Sequence, residues 1–249
     1  MVTSVAPVSN DEGRVRMALR EDPDLAALLP VLDEVIDVLG RSEIEYLLMG
    51  GIASSCLGRE RWTHDIDVFA RPAEARRAMT ALAAAGFDTE ETYPEWLFKA
   101  FKAEQMVDLI FRSGGDITVD DEMVRRAPTA TFMGRTVRTV PAEDLLVLKV
   151  VVAAEHAPRH WYDALAIVAA ADLDWPYLMR RARRGIRRVL SLLLYAQSND
   201  LPVPAWVVHE LFATLEGSIA LGGTVPGGVA PGGVAPGTGR PSPEGPGGR

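Results

Sequence analysis

Leu47-Leu48-Met49-Gly50-Gly51, followed after a spacer by Arg61-Trp62-Thr63-His64-Asp65-Ile66-Asp67-Val68-Phe69, decides the reading of this 249-residue chain. The apolar run 46–49 predicts a strand, and the two glycines stop it. Glycine at such a place lets the backbone turn sharply and lets a ligand come close. Residues 52–57 are long enough for a short helix whose first N–H groups point back at the turn, which suits a phosphate. In the next strand Asp65 and Asp67 are two apart, so both carboxylates leave one face while Ile66 and Val68 leave the other, into a core.

Two neighbouring carboxylates repel each other and lose hydration, and a fold tolerates them most easily around a cation. A phosphate cradle beside a carboxylate pair that can hold Mg²⁺ is equipment for phosphoryl or nucleotidyl transfer. The plainer alternative is a turn followed by a solvent-facing strand edge.

Further along, Asp108 interrupts the apolar run Met106, Val107, Leu109, Ile110, Phe111. A lone carboxylate in such a run is costly without a partner. It is either an edge position facing water or a third carboxylate beside Asp65 and Asp67. Residues 141–155 predict a helix with Pro141 at its start and Glu143 and Asp144 in its first turn. Lys149 lies in its middle, with Leu145, Leu146, Val152 and Ala153 as its helical neighbours. That face is buried, so the ammonium needs an anion or must snorkel to solvent.

The organising stretch resembles the signature of the nucleotidyltransferase superfamily, the polymerase-β-like minimal transferases. The residues that carry it are Gly50, Gly51, Ile52, Ala53, Gly58, Arg61, Thr63, Asp65, Ile66, Asp67 and Val68. In detail they are similar to the AbiEii-type toxin transferases and their uncharacterised relatives, and the resemblance extends over about residues 41–170. It implies an α+β fold: a small mixed β-sheet core flanked by helices, with a helical bundle on its C-terminal side. It implies that Asp65, Asp67 and Asp108 are the catalytic, metal-holding residues, with Mg²⁺ as cofactor. Gly50, Gly51, Ser54, Arg61 and Lys149 would bind the phosphates of a nucleoside triphosphate. Asp163, in Arg159-His160-Trp161-Tyr162-Asp163, matches a charged position of the family. It would either orient Lys149 by a salt bridge or serve local packing. The implied reaction moves a nucleoside monophosphate to a hydroxyl of an acceptor: a tRNA 3′ end, a protein or a small molecule. An antitoxin is a candidate partner. A nucleotide-binding module without transfer is the alternative.

Four segments are expected: a helical start over 1–40, the transferase core over 41–140, a helical part over 141–216 and a disordered Gly/Pro tail over 217–249. The tail repeats Gly-Gly-Val-Ala-Pro, and glycine and proline at that density build no packed core. Helices are also expected over 11–20, over 24–39 with a restart at Pro30, and over 72–85, 159–171, 189–197 and 204–215. Residues 96–101 and 104–111 read as strands, and 129–140 as a hairpin that ends the sheet.

A net charge of −8 argues against nucleic-acid binding by bulk charge. The dense basic run holds Arg180, Arg181, Arg183, Arg184, Arg187 and Arg188, either a solvated helix or a phosphate-contacting surface. Cys56 is the single cysteine, so no intrachain disulfide forms and a reducing compartment fits. His156 and His160 are four apart, but Pro158 breaks the register a zinc pair needs. No signal peptide or membrane span is expected, and the chain reads as cytoplasmic.

Overall fold

A computed structural model describes residues 22–57 and 63–220, with side chains through residue 217. The expectations for residues 11–20, for Arg61 and for most of the tail lie outside the described residues.

The first helix, α1, runs Pro23–Arg41. Asp22 caps it by accepting from the N–H groups of Asp24 and Leu25, and Pro23 suits the first turn. The expected restart at Pro30 does not occur, because the helix continues through it. Pro30 and Ala26, whose carbonyl loses its helical donor, both lie exposed, so water can serve that carbonyl. The buried stripe of Leu25, Leu28, Leu29, Leu32, Val35 and Leu39 holds the helix in one piece.

Strand β1 (Tyr46–Leu48) leads into the short helix α2 (Gly50–Cys56) and then β2 (Asp65–Ala70). Helix α3 (Pro72–Ala84) returns the chain to β3 (Asp88–Tyr93), β4 (Leu97–Lys102) and β5 (Gln105–Ile110). These form one mixed five-stranded sheet in the order β1-β2-β5-β4-β3. Only β2 and β5 pair in parallel, at its centre; the other pairs are antiparallel. After a 3₁₀ turn at Gly114–Asp116 and helix α4 (Asp121–Arg126), β6 (Thr129–Phe132) and β7 (Arg135–Arg138) form a ribbon of their own. The hairpin is therefore present but does not end the main sheet. It touches that sheet at the bridge from Thr139 to Leu48.

Five helices follow: α5 (Ala142–Val152), α6 (Arg159–Ala170), α7 (Trp175–Ala182), α8 (Ile186–Ser198) and α9 (Ala205–Ala220). The architecture is α+β, as expected. Ile66, Val68, Val107 and Leu109 bury one sheet face against α1 and α3. On the other side Leu47, Met49 and Phe69 join a core built by α5 to α9. The acidic face of β2 thus opens where the sheet meets α5.

Candidate active site

Alternation along β2 buries Ile66 and Val68 completely and leaves Asp65 and Asp67 half-buried on the opposite face. The parallel register sets Asp67 directly opposite Asp108. The three carboxylates of the motif therefore share one face of two adjacent strands. Thr63 donates its hydroxyl to Asp65 Oδ1 at 2.7 Å and fixes that side chain.

The Gly-Gly turn lies against Asp67. The Met49 N–H donates to the Asp67 carbonyl at 2.9 Å, tying the end of β1 to β2. Gly50 has φ of +60°, a region that side chains disfavour. A Cβ on Gly50 would come within 1.7 Å of Asp67 Oδ2, so the bare Cα is what lets the turn approach the carboxylate. The N–H of Gly51 donates to that carboxylate. Ser54 is buried and donates to the Gly50 carbonyl at 2.7 Å, bracing the turn from within.

Burial, reinforced by the charges of Asp65 and Asp108, pushes the Asp67 carboxyl up to about 7, against the pull of Lys149 and the Gly51 N–H. A carboxylate raised by burial and by two like charges is the chemistry of a donor set that accepts a divalent cation, and these residues fit one. Burial also raises Asp108, with Lys99 opposing.

Lys149 and Asp163 form a buried ion pair at 2.9 Å, with side chains 5% and 0% exposed. The salt-bridge alternative for Asp163 is the one the fold realises. Helices α5 and α6 thus hold an ammonium within electrostatic reach of Asp67. Residues 25–198, more than half of the chain, match the family described as uncharacterised nucleotidyltransferase. The chain belongs to that nucleotidyltransferase family.

Two solved structures are similar to this nucleotidyltransferase. One is a solution structure of the antibiotic-resistance factor ANT(2'')-Ia, 16% identical, spanning 79% of this chain and 95% of that one, with a TM-score of 0.44. The other is a crystal structure of ANT(2'')-Ia with adenylyl-2''-tobramycin, 16% identical, spanning 69% and 98%, with a TM-score of 0.39. No curated protein matches the chain.

Lys99 is the site residue that the sequence reading passed over. It stands opposite Asp108 in the β4–β5 pair and binds Asp108 Oδ1 at 2.6 Å. The signal was present: a lone charge in the apolar strand Leu97-Phe98-Lys99-Ala100-Phe101, as Asp108 is in its own. Among the described residues, the trio of metal-ligating side chains that brings its donor atoms within 4.8 Å of one another is Asp22, Asp24 and His64. Those three are largely exposed, and Asp22 is already accounted for as the cap of α1.

Four arginines of the run in this nucleotidyltransferase, Arg180, Arg181, Arg184 and Arg188, bond to groups of the same chain. Arg180 pairs with Glu122 at 2.8 Å, and Arg181 with Asp120 and with Asp144, the latter at 2.5 Å. Arg188 donates to the carbonyls of Val150, Val151 and Ala153, satisfying the C-terminal end of α5. Arg183 and Arg187 are exposed. Beside that end of α5 lies an open cleft of about 490 Å³ lined by Glu155, Pro158, Trp161, Tyr162 and Arg188. No described helix is long and apolar enough to cross a membrane.

Proposed function

We propose that this enzyme is a Mg²⁺-dependent nucleotidyltransferase that moves a nucleoside monophosphate from a nucleoside triphosphate such as ATP to an acceptor hydroxyl. The observation that carries the reading is Asp67 facing Asp108 across parallel strands, with the bare Cα of Gly50 against the Asp67 carboxylate. Asp65 and Asp67 would hold the divalent cation, which supplies charge neutralisation at the triphosphate and polarises the α-phosphate when bound. Gly50 and Gly51 are assigned the terminal phosphates from the motif, with Ser54 keeping the turn in shape. Lys149, oriented by Asp163, offsets negative charge on the phosphates. Arg61 is assigned the same task from the motif.

Asp108 accepts the proton of the acceptor hydroxyl. The oxygen bonds to the α-phosphorus in line, the bond to the β-bridging oxygen breaks, and pyrophosphate leaves with that electron pair.

A small molecule or protein is favoured over tRNA as acceptor. Four of the six arginines in the basic run are tied to groups of the same chain, and the net charge is −8. The likeness to the AbiEii-type toxins supports a toxin with an antitoxin partner, acting in the cytoplasm where nucleoside triphosphates are plentiful. In the same reading, residues 41–140 form the transferase core, 141–216 bring Lys149 to it, and 1–40 and 217–249 flank them.

The test is incubation of the full chain with labelled nucleoside triphosphates, Mg²⁺ and candidate acceptors, following pyrophosphate release and label transfer. Transfer that is lost in chelator and in Asp67→Asn is the expected result. Metal-dependent nucleotide binding without pyrophosphate release would leave a binding module. Absence of both nucleotide binding and pyrophosphate release would overturn the reading.

A further inference from the structure

A row of charges crosses three strands on the acidic face: Asp67 on β2, Asp108 on β5 and Lys99 on β4. Lys99 is only 8% exposed. Its ammonium lies 2.6 Å from Asp108 Oδ1 and 3.0 Å from the Met106 sulfur. A buried ammonium in ion-pair contact does not leave without exposing an unpaired carboxylate. The pairing occupies Asp108 Oδ1 from the β4 side, so that oxygen already has a cation of its own.

We infer that Lys99 is the built-in counter-cation of Asp108, so that the acidic face takes a single divalent cation on Asp65 and Asp67. The inference rests on the nucleotidyltransfer reading above and refines it, by removing Asp108 from the metal-holding set. A Mg²⁺ ion on an oxygen already bound by an ammonium would sit at about 2.1 Å from that oxygen, with a second positive charge close by. The ammonium is bonded to one oxygen of Asp108, Oδ1, and the second oxygen is assigned to the acceptor hydroxyl. In this arrangement Lys99 is a positioning residue, acting on the acceptor through Asp108.

The experiment counts ions on the full chain by titration with Mn²⁺ in the presence of a non-hydrolysable triphosphate, read by electron paramagnetic resonance and calorimetry. Wild type is expected to bind one ion per chain. Lys99→Met leaves three carboxylates without that ammonium and is expected to bind a second ion, or the first about tenfold more tightly. Asp108→Asn is expected to lose transfer yet keep the wild-type ion count and affinity. Two ions in wild type, an unchanged titration in folded Lys99→Met, or a tenfold loss of Mn²⁺ affinity in Asp108→Asn would overturn the inference. If Lys99→Met does not fold, the wild-type count and Asp108→Asn still decide. Intact transfer with two ions overturns this inference alone, whereas absence of metal-dependent nucleotide binding overturns the function beneath it.

Discussion

Replacing Gly50 by alanine tests the contact on which the site depends. The added methyl would lie 1.7 Å from Asp67 Oδ2 and 2.5 Å from its Cγ, against the 3.0 Å that real Cβ atoms respect. The carboxylate must therefore retreat by at least about 1 Å, or the turn must open. The backbone adds its own cost, because φ at Gly50 is +60° and a side chain there costs about 1–2 kcal/mol. Overpacking of this kind costs about 1–3 kcal/mol more. Together, roughly 2–5 kcal/mol corresponds to a melting temperature lower by on the order of 10 °C. Catalysis should suffer further, since a misplacement of about 1 Å can reduce turnover about a hundredfold. Gly134 supplies the control: its φ is +78°, yet a Cβ there meets nothing within 4 Å. Gly134→Ala should show the backbone cost alone, with full activity. Thermal melts and pyrophosphate release on both variants decide the matter. Equal melting temperatures and equal activities would refute the claim that Asp67 needs a bare Cα beside it.

Three further outcomes are expected. Asp67→Asn should lower turnover at least about a hundredfold while leaving thermal stability unchanged or higher, because it relieves repulsion from Asp65 and Asp108; a clearly lower melting temperature would contradict this. Lys149→Met leaves the Asp163 carboxylate, 0% exposed, without its ammonium and should cost about 3–5 kcal/mol in denaturant unfolding, partly recovered in Lys149→Met/Asp163→Asn; a single variant as stable as wild type would show the pair to be dispensable. Burial pushes the Asp144 carboxyl up to about 6 in spite of Arg181 and Tyr177. A folded-state pKa raised above the unfolded value gives stability that is fully present below about pH 4 and lost as pH rises through about 6. Over that window wild type should lose roughly 3 kcal/mol relative to Asp144→Asn, and a stability difference that stays constant from pH 4 to 7 would sink the assignment.

The chemistry-bearing strands were legible because their signals are local. Asp65 and Asp67 declare themselves by a spacing of two, and the Gly-Gly pair by what only glycine permits. Asp108 and Lys149 were legible as charges among apolar neighbours. Lys99 carried the same signal, yet its partner depends on a hairpin register. The turn that sets that register, Ala103-Glu104, takes positive φ values of 50° and 62° without a glycine or asparagine to announce it. Strand β3 was missed for a related reason. Asp-Thr-Glu-Glu-Thr-Tyr is polar on both faces and almost wholly exposed, an edge strand with no hydrophobic alternation to read. The restart at Pro30 followed a sound local rule, overridden by the buried stripe on the far side of α1. The fate of the arginine run was settled by partners such as Glu122 and Asp144, far away in sequence.

Helix α5 is buried at every residue from Glu143 through Val150, so it has no wet side to vary. In an evolving lineage such a segment behaves as a fixed axle. Nearly every mutation along it would be felt both by the carboxylate face and by the helices packed around it. Novelty in what the enzyme modifies then has to arise at the periphery, in places such as the α5–α6 connection and the exposed Tyr162 in the first turn of α6, outside the buried Lys149–Asp163 pair. Divergent relatives should therefore differ most in these outer turns. The phosphate-handling interior should be the slowest part of the molecule to change.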